Sequence, residues 1–219
     1  MPSHKKFSEN LRLLERRHPQ FLPLLINCCV DEFTISTTRE GEQNLTKQLD
    51  EKPFHYHSPY SAEKEAKKWF ASLKLEDCKV LYVYGIGLGY YYTPVVGWLK
   101  EDKERFLVFL EDDFGALRCF LEMALATKIL KDPQVLIHYC GEELGEGKRI
   151  SELCWTFVSL SRKISGLLSY QKKHSGKFLK LRYELMLEGA SQDTVALELE
   201  NFGEVFFENF YQNTLTLND

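Results

Sequence analysis

Gly85, Gly87 and Gly89 occupy alternate positions directly after the apolar run Val80-Leu81-Tyr82-Val83-Tyr84 and directly before a stretch of helical character. A turn that cradles a nucleotide must let backbone approach the ligand and must present free amides at a helix N-terminus. Glycine serves both needs, because a side chain would block the approach and some turn positions need positive φ. The next apolar run, Phe106-Leu107-Val108-Phe109-Leu110, ends at Glu111. That is about 20 to 25 residues beyond the glycines, where an acidic side chain accepts from ribose hydroxyls. The candidate ligand-binding residues are therefore Gly85, Gly87, Gly89 and Glu111, joined by Tyr90, whose ring follows the glycines and could stack on a base or sugar. For Tyr90-Tyr91-Tyr92 as a group, ordinary helix packing is the favoured alternative.

The spacing G-x-G-x-G departs from the G-x-G-x-x-G of dinucleotide enzymes and resembles the turn of S-adenosylmethionine-dependent methyltransferases. The expected ligand is thus a nucleotide or S-adenosylmethionine. Methyltransferases usually carry an acidic residue two positions before the first glycine, and here that position is Val83. The competing account is that the glycines only allow close packing of strand on helix.

Other chemistry-bearing residues are less organised. His55 and His57 lie two apart on an expected strand, so they would face the same way as a metal half-site, although a surface or interface role is favoured. His138 falls within an apolar strand pattern, as a core or strand-end residue does. Glu111-Asp112-Asp113 could be a D-x-D-like metal cluster, but one ribose-facing carboxylate followed by helix-starting acids is the simpler account. No Ser-His-Asp or Cys-His arrangement is evident.

These residues need a scaffold. Three apolar runs without alternation, Val80–Tyr84, Phe106–Leu110 and Val135–Tyr139, are separated by helical stretches over Tyr90–Lys100 and Phe114–Leu130. That is the pattern of a parallel sheet covered on both faces. Ahead of it, Ser61 is placed to cap a helix carrying Ala62, Ala66, Trp69, Phe70 and Leu73 on one face. Earlier still, Phe33–Thr38 and the stretch around Leu45 form an expected hairpin turning at Gly41, followed by a strand over Phe54–His57. Short helices over Ser8–Leu25 are interrupted near Pro19 and Pro23. Beyond Gly147 come a helix over Ile150–Leu160 and a long helical pattern over Gly176–Tyr211, with a break expected at Gly189.

The expected architecture is α/β: a Rossmann-like three-layer domain with a mostly parallel sheet, a small N-terminal hairpin and helical appendage, and C-terminal helices. Its divisions are 1–57 for the appendage, 58–175 for the Rossmann-like domain and 176–219 for the C-terminal helical segment. Six cysteines without a C-x-x-C pair argue against a zinc ribbon or disulfide framework and for reduced thiols in the cytoplasm. No apolar run approaches the roughly 20 residues of a membrane helix. A net charge of -4 argues against nonspecific nucleic-acid binding as the main task.

Three segments in order carry a family resemblance. They are His57-Ser58-Pro59-Tyr60-Ser61-Ala62-Glu63-Lys64-Glu65-Ala66, then Tyr82-Val83-Tyr84-Gly85-Ile86-Gly87-Leu88-Gly89-Tyr90, then Phe109-Leu110-Glu111-Asp112-Asp113. Together they resemble the N-terminal domain of the Maf (motility-associated factor) family, which is related to archaeal 6-hydroxymethylpterin diphosphokinases. Asp112 stands in place of that family's proline. The resemblance covers roughly residues 40 to 140. It implies a Rossmann-like part ahead of a central glycosyltransferase domain that opens with a GxGPSL motif and transfers nonulosonic acids to flagellin serine or threonine. No GxGPSL segment occurs in this chain. The expectation is an N-terminal region or short relative, an accessory module without catalysis of its own, partnered by a downstream glycosyltransferase domain, an acceptor protein or copies of itself. The alternatives are a methyltransferase-like small-molecule enzyme and a pure interaction module.

Overall fold

The computed structural model describes residues 4–49, 52–141 and 146–216. Its centre is a four-stranded, all-parallel sheet flanked by helices, formed by β4 (Val80–Tyr84), β5 (Phe106–Glu111), β6 (Val135–Tyr139) and β7 (Arg162–Gly166) in the order β6-β5-β4-β7. Every residue of β4 is buried, as is β5 from Leu107 onward, which is why neither strand alternates in sequence. The chain moves outward from β4 to β5 and β6, then crosses back to lay β7 on the other side of β4. The strand order therefore reverses between β4 and β7, the place where open α/β sheets leave a crevice for ligands.

β7 is the strand that sequence reading misses. It reads Arg162-Lys163-Ile164-Ser165-Gly166 and is only half-buried, as an edge strand is, so it lacks the apolar run that marks the other three. Helices α3 (Ala62–Ala71) and α4 (Tyr92–Lys100) pack together beside the sheet, and the Trp69 indole N–H of α3 donates to Ser165 Oγ of β7 at 2.9 Å. Ser61 caps α3 as expected, its hydroxyl accepting from the Lys64 amide. The helical stretch expected over Phe114–Leu130 is two helices, α5 (Phe114–Phe120) and α6 (Ala124–Lys131). Between them the carbonyls of Leu121 and Met123 accept from the side-chain amide of buried Asn10, in α1 (His4–Arg17). A long-range partner thus takes up carbonyls that would otherwise continue the helix.

The expected hairpin is present, and the strand expected over Phe54–His57 runs instead over Lys52–His55 and pairs with it. β1 (Phe33–Thr37), β2 (Gln43–Leu49) and β3 (Lys52–His55) form an antiparallel sheet, with Gly41 at φ +88° in the first turn. Leu45 of β2, together with Leu14, Phe21 and Leu25 from α1 and the two short helical turns Pro19–Phe21 and α2 (Leu22–Ile26), belongs to the same buried cluster as β4 and β5.

The C-terminal part contains α7 (Glu146–Thr156), α8 (Leu168–Lys173) and α9 (Ser175–Thr216); residues 217–219 lie outside the described residues. The break expected at Gly189 is not there, because α9 runs through it. Gly189 is instead where the Arg162 side chain crosses the helix, and a Cβ at that position would overlap the guanidinium. Arg162 Nη2 reaches both carboxylate oxygens of Asp193, at 2.8 and 2.6 Å. Gly189→Ala should therefore destabilise by about 1–3 kcal/mol through overpacking, against the roughly 1 kcal/mol that alanine gains in an open helix. Thermal denaturation measures the balance, and a raised midpoint would mean that the Arg162 guanidinium, the far end of a flexible side chain, gives way at little cost.

Candidate functional site

The turn between β4 and α4 has the backbone that its glycines suggest: φ is +88° at Gly85, +49° at Gly87 and +84° at Gly89. What approaches each glycine is protein. A Cβ at Gly85 would come 2.9 Å from Cγ of Tyr170, one at Gly87 would enter the imidazole of His57, and one at Gly89 would lie 2.8 Å from Ile129 Cδ1. Tyr170 belongs to α8, directly after β7, so its ring fills the crevice between the carboxyl ends of β4 and β7. It packs edge-on to Tyr84 at 4.9 Å between ring centres.

The amides that would meet a phosphate or ribose are also taken. The Ile86 N–H donates to Glu111 Oε2 at 2.9 Å. Glu111 Oε1 accepts from the Asp112 and Asp113 amides at 3.0 and 3.1 Å and from the Tyr170 hydroxyl at 2.8 Å. The Leu88 N–H donates to His57 Nε2 at 2.9 Å, so the ring proton of neutral His57 sits on Nδ1, with Glu65 Oε1 3.9 Å away. Asn44 of β2 fixes His57 through a reciprocal pair, donating to its carbonyl and accepting from its amide at 2.8 and 3.1 Å. Glu111 stands at the strand end where sequence places it, but it is 0% exposed and its carboxylate is turned inward. The ribose-facing orientation expected of it is replaced by an internal bridge between two strand ends and α8.

Burial lifts the Glu111 carboxyl from its ordinary 4.5 to about 8; Asp112 and Asp113 push the same way, while the Ile86 amide and the Tyr170 hydroxyl oppose the rise. A carboxyl whose folded pKa lies above its unfolded value binds a proton on folding. Its contribution is complete below about pH 4.5 and is lost as pH rises through about 8. Wild-type stability should thus fall between about pH 5 and pH 8 relative to Glu111→Gln, which does not titrate. Urea unfolding of both proteins at the two pH values checks this. An unchanged gap would mean that Glu111 keeps one protonation state throughout.

The three tyrosines after the glycines reach three different elements. Tyr90 donates to the Gln43 carbonyl at 2.9 Å and lies edge-on to His57. Tyr91 donates to Glu65 at 3.1 Å and rests on Trp69, while Tyr92 donates to Asp132 at 2.9 Å. They pack, as the favoured alternative has it. The histidine pair separates because β3 ends at His55, which is exposed and bonded to Thr46, while His57 is buried. The surface role favoured for His57 is therefore corrected to a buried support of the glycine turn. Among the described residues no group of three or more His, Cys, Asp or Glu could hold a metal ion. Among the described residues no cysteine is in a disulfide.

Open space lies beside the turn. A cleft of about 450 Å³ sits at the carboxyl ends of β5 and β6, lined among others by Lys47, Tyr56, Asp112, Asp113, His174 and Lys177. Asp113 starts α5, as expected of a helix-starting acid: its Oδ1 accepts from the amides of Gly115 and Ala116. Its Oδ2 accepts from Lys47 Nζ at 2.7 Å and the Tyr56 hydroxyl at 3.3 Å. Asp112 points the other way, its Oδ2 accepting from the Tyr84 hydroxyl at 2.8 Å and Lys177 Nζ at 3.1 Å. Asp112 and Asp113, the last two members of the D-x-D-like cluster, are thus each held by one lysine and one tyrosine. Sequence reading found neither Tyr170 nor Lys47, and it gave His57 no part in the turn, since none of the three lies near the glycines in the chain.

Compared with protein-family models, with curated proteins and with solved structures, the chain matches none.

Proposed function

We propose that this chain is a Rossmann-like accessory module of the kind found at the N-terminus of Maf-like glycosyltransferases, one that supports assembly and does not itself transfer a sugar. One observation carries the non-catalytic part: the positions over Gly85 and Gly87 that a cofactor would occupy are filled by Tyr170 and His57, and the Ile86 and Leu88 amides are satisfied by Glu111 and His57. The order and spacing of the three sequence segments support the family part. Transfer of nonulosonic acid from a CMP donor to flagellin serine or threonine would then belong to a partner domain or protein.

The methyltransferase alternative requires the same turn to open to S-adenosylmethionine, displacing groups whose hydrogen bonds it must replace. Calorimetric titration separates the two. The module is expected to give no saturable heat with millimolar S-adenosylmethionine or CMP, and no glycosyl transfer to a flagellin acceptor when assayed alone. One-site binding of S-adenosylmethionine would favour the methyltransferase, and transfer by the chain alone would overturn the accessory role.

A further inference from the structure

We infer that the outer edge of β1 is a self-association surface, on which β1 of a second copy of this chain pairs antiparallel about Ile35. The ladder between β1 and β2 decides which backbone groups face outward. In an antiparallel pair, residues bonded directly across alternate with residues whose N–H and C=O point away. The Gln48 N–H donates to the Glu32 carbonyl at 2.9 Å and the Thr38 N–H to the Glu42 carbonyl at 2.8 Å. These bonds close the two ends of a register that sets Thr34 opposite Thr46 and Ser36 opposite Asn44. Glu32, Thr34, Ser36 and Thr38 therefore turn their backbone groups to β2, and Phe33, Ile35 and Thr37 turn theirs away. The Phe33 N–H donates to the Val30 carbonyl. The outer edge thus presents the Phe33 carbonyl and both backbone groups of Ile35 and Thr37.

Edges of this kind are ordinarily blunted by lysine, proline or a covering element. Among the described residues the other edge strands follow that rule. β3 carries Lys52 and Pro53, β7 carries Arg162 and Lys163, and no residue of β6 is exposed. β1 reads Phe33-Thr34-Ile35-Ser36-Thr37, with no charge, no proline and no bulge, and three of its residues are exposed. Its central apolar residue is also short of a neighbour. Ile35 is 42% exposed, whereas Leu45, its partner across the ladder on the same face, is 0% exposed.

Two features select a second copy as the occupant. The first is symmetry. A copy related by a twofold axis at Ile35 lets each Ile35 N–H donate to the other Ile35 carbonyl, and each Thr37 N–H donate to the other Phe33 carbonyl. None of these bonds calls on the Phe33 N–H, which is already taken. The two isoleucines then cover each other's exposed flank. The second feature is charge. Carried beyond the strand ends, the same pairing brings Asp31 of each copy toward Arg39 of the other, and both residues are exposed. Glu32 and Glu40, the other charged residues there, are met within the chain by Lys47 and Lys64. An unrelated strand has no reason to match both the symmetry and the charges. The interface is small, so the association is a weak one that depends on concentration. It does not draw on the glycine turn and holds whether or not the Maf resemblance does.

Amide exchange of the whole chain by NMR, at tens of micromolar and near millimolar concentration under reducing conditions, tests this alongside sedimentation. Wild type is expected to pass from monomer toward dimer. The Ile35 and Thr37 amides should exchange about fivefold more slowly at the higher concentration, while those of Thr34 and Ser36, held by β2, stay slow at both. Thr37→Pro removes an outward N–H and leaves the bonds to β2 in place. Ile35→Lys sets like charges opposite each other at the seam. Both variants should remain monomeric with the Thr34 and Ser36 amides still slow, and Ile35→Val should associate as wild type does. A wild-type monomer near millimolar concentration would overturn the inference. So would a dimer undiminished in both Thr37→Pro and Ile35→Lys, or one whose Ile35 and Thr37 amides exchange no more slowly than in the monomer.

Discussion

Replacing Glu111 with leucine is expected to remove at least about 3 kcal/mol of stability, since it leaves two buried and two part-buried donors without an acceptor, at about 1–3 kcal/mol for each buried one. Those donors are the Ile86, Asp112 and Asp113 amides and the Tyr170 hydroxyl. Leucine is close to glutamate in size, so the loss reports hydrogen bonds rather than volume. Against the 5–15 kcal/mol of a typical domain, such a loss leaves the variant marginal or unfolded. Glu111→Gln keeps an acceptor for the three donors on Oε1 and sacrifices the Ile86 bond alone, so it should lose only about 1–3 kcal/mol. Chemical denaturation gives both values. The ordering separates two roles: a carboxylate kept for a ribose could be changed to leucine with little effect on folding, or with a gain from removing a buried charge. Equal stability of the glutamine and leucine variants would contradict the internal bridge.

A second large effect is expected at Gly87. Alanine there must adopt φ near +49°, a strain of about 1–2 kcal/mol. Its methyl group also runs into the His57 ring, and overpacking of this kind adds about 1–3 kcal/mol. The strain belongs to Gly87 alone, whereas the clash belongs to the pair. Combining Gly87→Ala with His57→Ala should therefore be less damaging than the two single losses added, by about 1–2 kcal/mol of coupling. A glycine retained only for ligand access would show the strain and no coupling. The double-mutant cycle makes that distinction without any ligand being known.

How far the sequence leads differs between the scaffold and the turn. The parallel sheet was legible because β4, β5 and β6 are buried well enough to be written as apolar runs. β7 was not, because an edge strand with one apolar side chain, Ile164, writes no such run. The glycine turn was legible as backbone: all three glycines sit at positive φ, as the motif requires. Its occupant was not legible, because Tyr170 lies 85 positions beyond Gly85 and His57 precedes the first strand of the parallel sheet. Gly189 shows the same limit in a helix. A lone glycine in a helical pattern signals a break from local propensity alone, and here a tertiary contact, the passage of Arg162, accounts for it. In each case local chain preferences set the backbone, and distant side chains determined its use.

The most direct test of a turn sealed by its own protein is amide hydrogen exchange at Ile86, Leu88, Asp112 and Asp113 in the ligand-free chain, followed by NMR. If Glu111 and His57 hold these amides as the geometry has them, all four exchange slowly, with protection approaching that of the β4 and β5 core. Their shifts then remain unchanged when millimolar S-adenosylmethionine or CMP is added. Rapid exchange of the Ile86 and Leu88 amides, or movement of their shifts on adding either compound, would contradict the sealed turn and return Gly85, Gly87 and Gly89 to ligand binding.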